Sequence, residues 1–205
     1  MNPYLTYFYG VKGPAVEQRE NLKVFVPLCG KSKDMLWLSQ NGYNVFGVEC
    51  SERAVKHFFE DNALNYRHAE KDAHALYQSD GLESPIEIFQ GDFFELQPDD
   101  IADITDIYDR ASLIALPTEM REQYAQKMAE LQKSGMRTLL VTLTYDQSEL
   151  NGPPFSVSEE DVLALYSENF SVQKLCFKDI IEEEPKMQQR GLTSLVESVY
   201  KMVRK

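Results

Sequence analysis

The sequence predicts an α/β protein with a doubly wound, Rossmann-like sheet: seven strands, mostly parallel, flanked by helices over a single domain, residues 1–205. Three observations predict it. Residues 24–49 read as strand, glycine turn, helix, strand, acid, the order of a nucleotide-binding βαβ unit. Apolar strand-length runs then alternate with helical patterns as far as residue 166. Two late strands, 170–177 and 195–203, lack an equally strong helix between them, which predicts an antiparallel edge.

In the first unit, Val24-Phe25-Val26-Pro27-Leu28 is a continuous apolar run, as suits a strand buried on both faces. Cys29-Gly30 makes a tight turn. Met35, Leu36 and Leu38 group on a helix that Asn41-Gly42 stops. Asn44-Val45-Phe46-Gly47-Val48-Glu49 is the second strand, ending in an acid. Glu49 stands 19 residues beyond Gly30, against about 20 between a fingerprint glycine and a ribose-binding acid. Gly30 lets the backbone approach a ligand, and a strand-end carboxylate accepts from both hydroxyls of a ribose. One glycine stands where a dinucleotide fingerprint has three. A nucleoside without a pyrophosphate therefore fits better than a dinucleotide, and S-adenosylmethionine is the obvious candidate.

The remaining elements follow in order. Leu5, Phe8 and Tyr9 give an N-terminal helical face, broken at Lys12-Gly13-Pro14. Ser51 caps a helix over 52–61 with Val55, Phe58 and Phe59 on one side. Residues 65–84 are polar and predict an irregular insertion with a short strand at Ala75-Leu76-Tyr77; His68 and His74 there fit no metal pattern. Ile86–Gln90 is a strand leading to Gly91-Asp92-Phe93-Phe94. At such a strand end Asp92 can accept from an adenine amino group and Phe93 can stack on the ring. A strand over 104–109 delivers Asp109 and Arg110, two charges that are costly at a buried strand end unless used or well paired. Met120, Tyr124, Met128 and Leu131 form one helix face, with Pro117 at the first helical position. Arg137–Thr144 is a β-branched strand. The loop Tyr145–Phe155 leaves the edge of the sheet where loops carry function. Ser158 and Asp161 predict a capping box, and 179–191 is charged and partly helical.

Composition narrows the function. The net charge is −12 and no Lys/Arg block is present, which argues against nucleic acid. No apolar run reaches membrane-spanning length, so no membrane partner is expected, and no signal-peptide pattern opens the chain. Three cysteines, Cys29, Cys50 and Cys176, have no metal spacing and predict a reducing, cytoplasmic setting with no metal. Cys29 and Cys50 follow neighbouring strands as small, soft residues lining a tight pocket. Nothing in the sequence demands more than a monomer.

Several stretches, in order over nearly the whole chain, carry a family resemblance: Val26-Pro-Leu-Cys-Gly-Lys-Ser-Lys-Asp-Met-Leu-Trp-Leu38, Gly47-Val-Glu-Cys-Ser-Glu52 and Gly91-Asp-Phe-Phe-Glu-Leu96. Tyr108-Asp-Arg-Ala-Ser-Leu-Ile-Ala-Leu-Pro117, Asn151-Gly-Pro-Pro-Phe-Ser156 and Gln189-Arg-Gly-Leu192 complete it. The chain resembles the thiopurine methyltransferases, especially their bacterial branch. The resemblance implies the class I S-adenosylmethionine-dependent methyltransferase fold, S-adenosylmethionine as donor, and a small thiol, selenium or tellurium compound as acceptor. It implies cofactor contact at Leu28, a ribose acceptor at Glu49, an adenine border at Asp92 and Phe93, and Arg110 beside both cofactor and substrate. Gly30 and Cys50 belong to the same cofactor-binding set, and Arg110 and Asp109 are the catalytic candidates. The family usually carries, ahead of the Asn-Pro-Tyr-Leu region, a tryptophan-bearing segment that covers the cofactor. This sequence starts at Met1-Asn2-Pro3 with its one tryptophan at Trp37, so that covering segment is expected to be missing.

Overall fold

The computed structural model of the protein describes all of its residues apart from 1, 16, 17, 20, 72 and 73. The chain divides into two compact units, Met1–Ile107 and Tyr108–Lys205.

In the first unit the strand order is β3-β4-β5-β2-β1, followed by the opening residues of β6. These are β1 (Lys23–Val26), β2 (Asn44–Glu49), β3 (Tyr66–Lys71), β4 (His74–Ser79), β5 (Ile86–Gln90) and β6 (Asp106–Arg110). β1 runs parallel to β2 and to the start of β6, and β2 runs parallel to β5. All but the first residue of β1 and the end residues of β2 are buried. This two-sided burial is why both strands read as unbroken apolar runs. The helix α2 (Lys33–Gln40) buries Met35 and Leu38, and α3 (Glu52–Asp61) buries Val55, Phe58 and Phe59. Each starts at a serine whose hydroxyl accepts a backbone N–H: Ser32 from Asp34 at 3.3 Å, Ser51 from Ala54 at 3.2 Å.

The N-terminal helix begins as α1 (Pro3–Leu5), capped by the Asn2 side chain, and continues as a π-helix over Thr6–Val11. Tyr9 is buried and donates to the carbonyl of Ile107 at 3.2 Å, while the Tyr43 hydroxyl donates to the carbonyl of Tyr9 at 2.8 Å. Arg19, 5% exposed, is satisfied by the carbonyls of Pro14, Asn41 and Gly10 and lies over the Tyr43 ring. These bonds meet the cost of burying a guanidinium.

The second unit has the strand order β6-β7-β9-β8, with β7 (Arg137–Thr144), β8 (Phe170–Asp179) and β9 (Val196–Arg204). β9 pairs antiparallel with both neighbours, and β8 carries a bulge at Lys174/Cys176. α4 (Thr118–Leu131) buries Tyr124, Met128 and Leu131; Pro117 sits at its N-cap, one position earlier than expected. The capping box of Ser158 and Asp161 starts α5 (Glu159–Tyr166). Between β8 and β9 the chain forms a 3-10 turn, Ile181–Glu183, and then α6 (Pro185–Gln189).

Among the described residues the strands number nine and are mixed, where seven mostly parallel ones were expected. The two additional strands are β3 and β4, an antiparallel hairpin where an irregular insertion with a short strand at Ala75-Leu76-Tyr77 was expected; that short strand is the middle of β4. β3 is largely exposed, so it shows no apolar alternation to mark it. Tyr77 of β4 anchors the hairpin against Phe59 and Tyr66.

Gly47 creates a tight point in the first unit. A Cβ there would stand 2.8 Å from Cys29 Sγ and 3.2 Å from Met35 Sδ. Gly47→Ala is expected to cost about 1–3 kcal/mol by overpacking. Adding Cys29→Ala should recover part of that loss, giving a non-zero coupling in a double-mutant cycle read by urea unfolding. Strict additivity would remove Cys29 as the obstacle.

Candidate active site

The first unit forms a site at the ends of its parallel strands. After β1 the chain turns through Leu28 at φ 43° and Gly30 at φ 51°. A left-handed leucine is strained, and such strain gathers where backbone must approach a ligand. The Gly30 N–H donates to Glu49 Oε2 at 3.0 Å, and the Ser51 N–H donates to Glu49 Oε1 at 2.8 Å. The Cys50 thiol also donates to Oε1, at 3.6 Å. These bonds fix the carboxylate plane, and Oε2 keeps a lone pair for a further donor. A Cβ on Gly30 would meet nothing nearer than that carboxylate, at 4.0 Å, so the space over the turn is open. The Gly91 N–H donates to the carbonyl of Glu49 at 3.1 Å, and the Gln90 amide donates to the carbonyl of Cys50 at 3.2 Å. These bonds tie the end of β5 to the end of β2.

The remaining first-unit candidates have distinct surroundings. Asp92 is exposed and accepts from the Phe94 N–H at 2.9 Å, capping a 3-10 turn over Phe93–Glu95. Phe93 is 1% exposed and packs edge-on against Phe94, which is half-buried. Cys29 is buried and Cys50 exposed, and both are free thiols. Burial, reinforced by the Glu49 charge, pushes the Cys29 thiol far above its usual range; the same two causes raise Cys50. Neither is poised as a thiolate. An anchored carboxylate, an open glycine turn and a polar strand end suit an adenosine: a diol acceptor, room for the ribose and polar groups near a base.

The second unit holds a separate pocket. Arg110 ends β6 exposed, and Ala111 follows at φ 66°. Together with Ile114, Val141, Pro153 and Met187 they line a cavity of about 400 Å3. Its walls are largely apolar, and Glu184 and Glu197 bring two carboxylates into it. Ile180, Met187 and Leu143 also pack against the cluster of Tyr145, Leu192 and Leu195. The loop 145–155 is fastened across its own span: Tyr145 donates to the carbonyl of Pro154 at 2.6 Å, and the Phe155 N–H donates to the carbonyl of Ile114 at 2.7 Å.

Asp109 precedes Arg110 but is fully buried, and the Tyr124 hydroxyl donates to it at 2.9 Å. Successive strand residues face opposite ways, so Asp109 points inward and Arg110 outward to the pocket. The sequence marked Asp109, Arg110 and the 145–155 loop. It did not mark Met187, Glu184 or Glu197. Glu197 had one readable signal, an acid inside an apolar strand; Glu184 and Met187 lie in a segment read only as charged and partly helical.

Burial raises the Asp109 carboxyl from 3.8 to about 6, against the opposing effect of the Tyr124 bond. The native state thus holds it neutral at a pH where the unfolded chain has ionised it. The stability it contributes is whole below about pH 3.8 and lost as pH rises through about 6. The loss is on the order of 3 kcal/mol by pH 8. Asp109→Asn should therefore gain stability relative to wild type between pH 5 and pH 8 in urea unfolding. A difference that does not change with pH would show that Asp109 ionises as freely in the native state as in the unfolded chain.

The family profile described as thiopurine S-methyltransferase matches residues 2–205. A thiopurine S-methyltransferase of Pseudomonas fluorescens is 43% identical over 99% of this chain and 89% of its own length. Those of Nitrosospira multiformis and Azotobacter vinelandii are 40% and 43% identical, covering 98% and 100% of this chain and 87% and 90% of their own. Among solved structures, SAM-dependent methyltransferases of Anabaena variabilis and Methanosarcina mazei superpose with TM-scores of 0.65 and 0.66 at 16% and 13% identity. They cover 98% and 100% of this chain, which covers 83% and 98% of them, a likeness of fold. The chain belongs to the thiopurine S-methyltransferase family and is a methyltransferase of the class I fold that uses S-adenosyl-L-methionine.

Proposed function

We propose that the protein methylates the sulfur of small thiol compounds, thiopurines among them, with selenium and tellurium analogues as further acceptors. The observation that carries this is the second unit's cavity, apolar-walled and lined by Arg110. Its volume suits a small, polarisable molecule, and the relatives' names supply the acceptor class. The setting is the reducing cytoplasm, in keeping with three free cysteines.

Bound S-adenosylmethionine supplies an electrophilic methyl on a sulfonium. Glu49 would accept from the ribose hydroxyls, with its plane held by the Gly30 and Ser51 amides. The Leu28–Gly30 backbone would approach the amino-acid end, Cys50 would line the ribose side, Asp92 would border the adenine, and Phe93, its ring buried, would do so through its backbone. Arg110 orients the acceptor and the donor. A thiol ionises to its nucleophilic form near neutral pH and gives its proton to water, so no dedicated base is required. The chain's task is positioning and exclusion of water. Asp109, buried on Tyr124, supports the strand end that presents Arg110.

Three measurements test this. S-adenosylhomocysteine is expected to raise the melting temperature and NAD to leave it unchanged, since a ligand that binds only the native state stabilises it; a response to NAD alone would overturn the reading. Glu49→Ala should weaken S-adenosylmethionine binding roughly ten-fold or more, for loss of charge-assisted hydrogen bonds; unchanged calorimetric affinity in a folded variant would take Glu49 out of the site. Arg110→Met keeps the apolar stem and removes the guanidinium. It should lower kcat/KM more for anionic than for neutral thiols. Equal losses would assign Arg110 to cofactor placement.

A further inference from the structure

We infer that the second unit's pocket selects its acceptor by charge, favouring neutral and cationic thiols over anionic ones through Glu184 and Glu197. This rests on the reading of that pocket as the acceptor site. Arg110 is the one cationic side chain among its described lining residues, against two carboxylates. Among these lining residues the formal sum is negative.

The acids sit where charge matters. Glu197 is 7% exposed and lies inside β9, directly across from Leu143 of β7. Leu195, Glu197 and Leu143 line the same cavity, so this carboxylate stands in an apolar wall where screening is weak. Strand pairing on both sides holds it in place. Its register partner on β8, Lys178, forms an ion pair with Glu183. Glu184 is exposed and lies on the segment that also supplies Met187 to the cavity; there Glu183 is paired with Lys178, and Glu182 and Lys186 carry opposite charges. Arg190 brings a second cation to the rim, donating to the carbonyl of the lining residue Pro153 at 3.2 Å, but it is exposed and screened by solvent; the chain as a whole, at −12, adds no positive field. A thiol carrying a carboxylate meets like charge beside poorly solvated walls, whereas one carrying an ammonium meets attraction. Arg110 limits the repulsion of anions without reversing it.

A matched series isolates the effect: 4-mercaptobenzoate, 4-methylbenzenethiol and 4-(aminomethyl)benzenethiol, assayed with the whole chain and S-adenosylmethionine at pH 7.5. Calorimetric binding of the three S-methylated products reads the same charge order without any thiol ionisation. The cationic and neutral members should bind and react about ten-fold better than the anion, the scale of one like-charge contact at intermediate dielectric. Glu184→Gln and Glu197→Gln should each move the anion-to-cation ratio several-fold toward the anion. Glu184 is on the surface, so its variant keeps the test open if Glu197→Gln does not fold. Equal product binding across the series, preference for the anion, or a ratio unmoved in folded variants overturns the inference. Product binding in the expected order with no thiol methylated supports the charge selection and overturns the thiol reading instead.

Discussion

The carboxylate of Glu49, fastened to the Gly30 amide at 3.0 Å and the Ser51 amide at 2.8 Å, is the constraint on which the first unit's site depends. It joins the turn after β1 to the start of α3, and it does so with backbone donors, whose positions are set by the sheet. A side chain held this way has little rotamer freedom left to lose when a ligand arrives. The same junction explains Gly47 and Cys29. The Cys29 N–H donates to the carbonyl of Val48 at 2.9 Å, which brings its sulfur over Gly47, where a larger residue would collide. The cysteine is there for its size.

The second unit answers a different demand. Its pocket needs an apolar interior with a few charges, and its supporting layer includes a fully buried carboxyl at Asp109. Burial of that group opposes its ionisation, so the unit gives up stability at neutral pH for a strand end that turns sharply at Ala111 and points Arg110 into the cavity. Strain and unfavourable titration meeting at one strand end is the pattern expected where function competes with folding.

Much of this was legible before any coordinates. Helix 52–61 and strands 86–90 and 137–144 matched residue for residue, because each has a full apolar face and a cap or turn residue at its border. The Ser51 cap and the Ser158–Asp161 box were legible for the same reason: capping is a local bond between residues three apart. The Ser32 cap was not read. Of the β3–β4 hairpin only the middle of β4, at Ala75-Leu76-Tyr77, was legible; β3 was not, because an exposed edge strand is held by backbone bonds that leave no mark on residue choice. Of the aromatic pair after β5, Phe93 was read as the ring able to stack on a base; packing buries that ring and leaves Phe94 the more exposed of the two.

The sequence by itself determined the βαβ grammar, the Gly30–Glu49 spacing and the family, since these depend on local periodicity and on motifs that run in order along the chain. Only the tertiary structure decided that Asp109 faces Tyr124 while its neighbour Arg110 faces a cavity. It also decided that Glu184 and Glu197, distant along the chain from Arg110, line that same cavity. Strand alternation, the pairing of β7 with β9 and the fold of the segment after β8 set those outcomes. Each arises from contacts between residues far apart in sequence, whose partners a local pattern does not name.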